Sequence, residues 1–148
     1  MRAKFMNDLK DAMKTGQKRK VDTIRLISAA IKDKEIEARG LGKTIGDDDI
    51  LALLQKMVKS RQESLGIYEG AKREDLAVIE REEIAIITSY LPQQMDDHSI
   101  KAAISAAIAE TGALSVKDMG KVIAVLKAKF SGQMDFGKAS GMVKGILG

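Results

Sequence analysis

One residue sets the first limit on how this chain can fold: Pro92 is its only proline, in the run Tyr90-Leu91-Pro92-Gln93-Gln94. Proline has no N–H to donate and crowds the preceding residue out of helical geometry, so a helix must stop near Leu91. The two sides of this break differ. Upstream, long helical periodicities are dense in charges of both signs; downstream come three shorter helical patterns built on Ala, Ile, Val and Lys. No segment alternates with the period of two that a half-buried strand needs. The expectation is an all-α protein: an N-terminal antiparallel helical hairpin or bundle domain, residues 1–92, followed by a small C-terminal three-helix module, residues 93–148.

Composition narrows what fills the core. Tryptophan is absent and the only aromatics are Phe5, Tyr68, Tyr90, Phe130 and Phe136, while eight methionines accompany the Ile, Leu, Val and Ala. Such a core is aliphatic and suits packed helices. The absence of cysteine excludes disulfides, thiolate chemistry and zinc fingers. The first residues show no apolar stretch behind their positive charges, and no uncharged run approaches the ~18 residues that span a bilayer. A cytoplasmic protein with no membrane partner is therefore expected.

Helix boundaries follow from glycines and acids. Phe5, Met6, Leu9, Ala12 and Met13 mark a first helix that Gly16 ends, and Lys18-Arg19-Lys20 reads as a basic connector. Val21, Ile24, Ile27 and Ile31 lie on one face of a second helix, running out before Gly40. Asp47-Asp48-Asp49 opens a third; with no later Glu to complete a calcium loop, the acids suit the helix N-terminus. Its stripe is Ile50, Leu51, Leu54, Met57, Val58, Leu65 and Tyr68, broken at Gly70, and Arg73-Glu74-Asp75 starts a fourth. Beyond Pro92, Asp96 or Asp97 caps a helix ended by Gly112. Ser115 with Asp118 fits a capping box ahead of Met119, Val122, Ile123, Leu126 and Phe130, and a last helix carries Met142, Val143, Ile146 and Leu147.

Catalytic chemistry finds few candidates. His98, the single histidine, follows Asp96 and Asp97 but lacks further metal ligands or a placed nucleophile. Glu80, Glu82 and Glu83 cluster, and paired carboxylates act as acid and base only in a cleft that separates their pKa values; on so charged a helix they read as a solvated face. Gly132 to Lys138 has GxxxxGK spacing, yet Ala139 stands where a phosphate-binding loop needs a Ser or Thr hydroxyl, and a helix precedes it instead of a strand. No catalytic residue, metal site or cofactor is expected.

Charge is unevenly spread. Residues 2–43 hold 12 Lys/Arg against 6 Asp/Glu, residues 44–111 hold 7 against 13, and residues 112–148 hold 6 lysines against Asp118 and Asp135. Basic ends attract polyanions, although lysine-rich surfaces also serve solubility alone. In the C-terminal module Lys117 and Lys121 are four apart and share a helix face near Gly120, with Lys127 and Lys129 two turns on and Lys138 and Lys144 on the final helix. A glycine at 120 or 141 admits either a phosphate backbone or a packed helix. No aromatics interleave with these lysines, so an RNA bound here would be held by its phosphates and shape.

Several stretches together carry a family resemblance. Thr23-Ile24-Arg25-Leu26, Lys59 to Ser64, Arg73-Glu74-Asp75-Leu76, Glu80 with Glu83-Ile84, Tyr90 to Gln94, and Asp118-Met119-Gly120-Lys121-Val122 occur in the order found in YqeY-family proteins. The chain also resembles the C-terminal tail region of the GatB subunit of the tRNA-dependent amidotransferase. Ile123 departs from the expected Met, a volume-conserving swap. The resemblance implies an all-helical fold and a tRNA-holding role without the ATP-using, transamidating domain, so an amidotransferase or carbon–nitrogen ligase label would be shared by domain alone. It further suggests that Arg61, Glu63, Arg73, Asp75, Glu80 and Glu83 form a polar clasp across the Gly70 turn.

Two function classes lead, and a third, an enzyme in its own right, rests only on the GxxxxGK spacing and the acidic clusters. The first is a non-catalytic tRNA-binding accessory protein using Lys117, Gly120, Lys121, Lys127, Lys129, Lys138 and Lys144, with an amidotransferase or another protein as a further partner and no DNA. The second is a helical protein-interaction adaptor with no RNA role.

Overall fold

A computed structural model describes all residues, Met1–Gly148, as seven α-helices in two compact units, Met1–Leu91 and Pro92–Gly148. The first unit contains α1 (Arg2–Lys14), α2 (Lys18–Gly40), α3 (Asp47–Gly70) and α4 (Glu74–Thr88). The second contains α5 (Asp97–Thr111), a three-residue 3-10 turn (Val116–Asp118), α6 (Met119–Phe130) and α7 (Phe136–Leu147). Each unit has its own apolar cluster. Phe5, Ile24, Ile27, Ile31, Ile50, Leu54, Met57 and Ile87 fill the first; Ile100, Ile104, Ala107, Val122, Leu126, Met134, Ala139 and Val143 are among those that fill the second.

Local chemistry explains most boundaries. Asp47, Asp48 and Asp49 occupy the first turn of α3, and the Gly46 N–H donates to Asp49 Oδ2 at 2.9 Å. Asp96 caps α5, its carboxylate accepting the Ser99 N–H at 2.7 Å. Gly112 ends that helix in the left-handed region at φ +67°. Three expectations change. Lys18-Arg19-Lys20 is the first turn of α2, since Lys and Arg favour helix as readily as a connector. Helix α4 stops at Thr88, a turn before the proline. Helix α3 ends at Gly70, as expected, and the left-handed residue of the turn that follows is Lys72, φ +56°. Met6 and Met13, counted on the inner stripe of α1, are 61% and 56% exposed, leaving Phe5 and Ala12 as its buried contacts.

Polar interactions fix the first unit. The Tyr90 hydroxyl donates to Asp8 Oδ2 at 2.5 Å, and its ring meets Phe5 edge-on with centroids 4.7 Å apart, tying α1 to the segment after α4. Burial, then the Asp8 carboxylate, pushes the phenol well above its ordinary range. Between α3 and α4, Arg61 Nε donates to Glu83 at 2.8 Å, with side chains only 17% and 13% exposed, and its Nη1 donates to the Met57 carbonyl at 3.2 Å. The clasp expected from the sequence thus exists at Arg61–Glu83. Arg73 instead pairs locally with Asp75 on the surface, and Glu63 is exposed.

The acidic cluster is correspondingly not a solvated face. Glu82 is exposed and takes Arg19 at 2.9 Å, but Glu83 is enclosed and Glu80 Oε2 is buried without a hydrogen-bond partner. Burial, then the neighbouring Glu83 charge, raises the Glu80 carboxyl above its usual range, with Arg61 partly opposing. Glutamates three apart on one helix share a side, and that side of α4 turns toward α3 at this point.

Two outcomes follow from this clasp. Arg61→Ala leaves Glu83 and Glu80 facing each other without a counter-charge and should cost about 2 kcal/mol of stability, read by thermal or denaturant unfolding; unchanged melting would show the pair to be ornamental. Glu80→Gln should stabilise the chain by about 1 kcal/mol at pH 7. A carboxyl raised in the folded state contributes its stabilisation fully below the unfolded pKa and loses it as pH rises through the folded value, so the gain from Gln should vanish near pH 4.

Candidate nucleic-acid interface

The second unit positions its lysines on a scaffold of short helices. Val122 and Leu126 face the core and are fully buried. One helical repeat around, Gly120, Ala124 and Ala128 follow at four-residue steps and are all exposed. No atom lies within 4 Å of where a Cβ on Gly120 would project, and the same holds at Gly141 on α7. Of the two uses open to these glycines, packing against another helix of the unit is therefore not the one realised. The outer side of α6 is a smooth track of small residues.

Lysines flank that track unequally. Lys121 and Lys127 lie on α6 beside it, exposed and outside any ion pair, and Lys127 Nζ stands 6.0 Å from the Phe136 ring centroid. Lys117 is exposed too, but in the 3-10 turn ahead of α6, so its four-residue spacing from Lys121 does not lie on one continuous α-helix. Lys129 is engaged by Glu110 at 2.6 Å, and Lys138 by Asp97. Lys144, in the last turn of α7, is exposed without an acidic partner. The seven positions singled out in the sequence thus divide: Lys117, Gly120, Lys121 and Lys127 gather at α6, Lys144 stands on α7, and Lys129 and Lys138 are neutralised locally. The ion pairs join helices far apart in sequence, which linear spacing does not reveal.

The approach to this face is organised by Asp118. Its Oδ2 accepts the Leu114 N–H at 3.0 Å and the Ser115 N–H at 3.4 Å. The Leu114 N–H bond holds its carboxyl below the usual range, aided by the Ser115 bond and the nearby Lys121 charge. Asp135 caps α7 in the same manner through the Gly137 and Lys138 N–H groups. The GxxxxGK run is thereby a turn between helices plus the first turn of α7, with Gly132 at φ +75°.

His98 is exposed in the first turn of α5, and no three acidic or histidine side chains converge in metal-binding geometry. An open cleft between α2 and α3 has an apolar floor of Ala30, Ala52 and Leu53 under a rim of mixed charge. No helix is long and apolar enough to cross a membrane.

Fold and surface together describe an all-helical protein whose second unit displays a basic, small-residue helix face. The chain belongs to the Yqey-like protein family, which it matches over residues 2–147. It is 32% identical over 130 residues to "Altered inheritance of mitochondria protein 41, mitochondrial" of Pyrenophora tritici-repentis, covering 82% of this chain and 68% of that protein. The protein of the same name from Saccharomyces cerevisiae strain YJM789 is 30% identical over 116 residues, covering 74% and 62%. That from Vanderwaltozyma polyspora is 33% identical over 96 residues, covering 60% and 51%. The matched region thus spans between half and about two thirds of these relatives' lengths.

Replacing Asp118 by Ala should lower the melting temperature of the second unit and loosen the Gly112–Asp118 segment, seen as faster amide exchange at Leu114 and Ser115. A carboxyl depressed in the folded state stabilises above its unfolded pKa, so the difference from the parent should fade as pH falls below about 4.

Proposed function

We propose that this chain is a tRNA-binding accessory protein that grips the sugar–phosphate framework through the outer side of α6. The observation that carries the reading is the pairing of a smooth track, Gly120, Ala124 and Ala128, with Lys117, Lys121 and Lys127, none of which closes a salt bridge, although the Lys121 charge is felt by Asp118. Small side chains let a phosphate backbone approach, and free ammonium groups then displace its condensed counterions. Lys144 extends the same charge, whereas Lys129 and Lys138 need to leave Glu110 and Asp97 before they contribute. The reading gives the chain no chemistry of its own: in the GatB subunit the ATP-using, transamidating work belongs to a domain outside the tail that this chain resembles. A cytoplasmic setting is part of the proposal; "mitochondrial" stands in the names of the fungal relatives and is said of those proteins.

The test is fluorescence anisotropy with bulk tRNA across a salt series, using the full chain and a Lys117→Ala/Lys121→Ala variant. Binding on the order of micromolar at low salt is expected, with the slope of log K against log salt reduced by about two in the variant. Absence of binding at low salt would remove RNA from the proposal and favour a helical protein-interaction adaptor.

A further inference from the structure

Leu114 is 89% exposed, more than any other large apolar side chain of the molecule, and it is held in that position. Gly112 reverses the chain after α5, and Ala113 turns inward at 8% exposure with its N–H bonded to the Ile108 carbonyl at 3.2 Å. The Leu114 N–H is fixed on Asp118, and Ser115 is fully extended at φ −149°, ψ 172°. With the backbone pinned on both sides, Leu114 has no route into the core. Val116, two residues on, is 38% exposed. Lys117 adjoins it, and Lys121 is near enough to Asp118 to act on its carboxylate. A rigid apolar point therefore stands at the head of the basic α6 face.

Charge decides what can cover it. A second copy would bring Lys117 and Lys121 against their like, so self-association through this point is opposed. The complement must be anionic around an apolar centre. Phosphates gain nothing from a leucine, and in an uninterrupted A-form duplex the base faces are stacked away from reach. An unstacked base beside its own phosphates offers both properties, and aliphatic side chains do pack against exposed base faces.

We infer that Leu114 is an apolar contact for an unstacked nucleobase of a folded RNA, with Lys117 and Lys121 on the flanking phosphates. The inference rests on the tRNA-binding reading and names the feature of the RNA that the site selects: a base left out of the helical stack, not the duplex itself.

The experiment compares the full chain with Leu114→Ala and Leu114→Met against two probes, bulk tRNA and the continuous duplex poly(A)·poly(U). Leu114→Ala should weaken tRNA binding about five-fold at every salt concentration. The salt slope should not change, because no charge is lost. Binding of the duplex should be unaffected, Leu114→Met should retain tRNA affinity, and melting should not shift, as expected for a side chain so exposed. If Leu114→Ala binds tRNA like the parent while Lys117→Ala/Lys121→Ala does not, the base contact is overturned, the RNA reading stands, and Leu114 belongs to a protein interface. An equal loss on the duplex also overturns it, reporting a disturbed loop. Failure of the parent to bind tRNA removes both readings together.

Discussion

Burial of aliphatic side chains in two separate clusters is the constraint from which the remaining features follow. With three phenylalanines, two tyrosines and no tryptophan or cysteine, the chain has neither large rings nor crosslinks to hold irregular segments. Ile, Leu, Val, Met and Ala must do that by interdigitating along helices. The clusters share no residue. Each is small, so polar contacts at the edges matter to the unit they serve: Tyr90 on Asp8 and Arg61 on Glu83 in the first, Asp96, Asp118 and Asp135 as caps in the second. The caps use single carboxylates to satisfy N–H groups that a short helix leaves open, a larger share of the hydrogen bonding in helices of twelve to fifteen residues than in α3 with twenty-four.

Helix content and order were legible because the signals are local. Pro92, Gly112 and Gly132 act through backbone geometry at one position, Asp96 and Asp135 act through the N–H groups immediately after them, and Asp49 acts through the Gly46 N–H just before it. Periodicity located the inner stripe of most helices. It failed for Met6 and Met13, because unbranched, polarisable Met at helical spacing looks the same on either side of a helix with few neighbours. The lysines of the second unit were legible as a composition but not as a site. Which of them are free depends on Glu110 lying against Lys129 and Asp97 against Lys138, separations of 19 and 41 residues.

The carboxylates of α4 show the same limit from the other side. Glu80, Glu82 and Glu83 are indistinguishable by type and nearly by position, yet one is exposed with Arg19, one is enclosed with Arg61 and one has a buried oxygen with no partner. Helical phase decides this: residues 80 and 83 share a side and residue 82 does not. An enclosed ion pair is seldom the most stabilising filling for its site, and a hydrophobic pair of equal volume often does as well. Its contribution is selectivity. Arg61 finds Glu83 in one register of α3 against α4, and a slip by a turn would strand a buried charge, so the hairpin has one alignment.

The function proposed for the second unit draws on what its packing leaves outside. A protein surface normally tucks away a leucine or pairs a lysine when a neighbour permits it. Here Asp118 Oδ2 accepts two backbone N–H groups, which fixes the backbone at Leu114, while the Lys121 charge helps hold the carboxyl ionised without closing a salt bridge onto it. An ammonium group outside any salt bridge and an exposed apolar side chain thus stand within a few residues of each other. In the proposed reading an anionic ligand with an apolar face would complement both at once. Asp118 serves the loop itself: its Oδ2 accepts both N–H groups, and those bonds hold its carboxyl below the usual range. That juxtaposition of Leu114 and Lys121 is what supports the proposal of a binding surface at this corner of the fold.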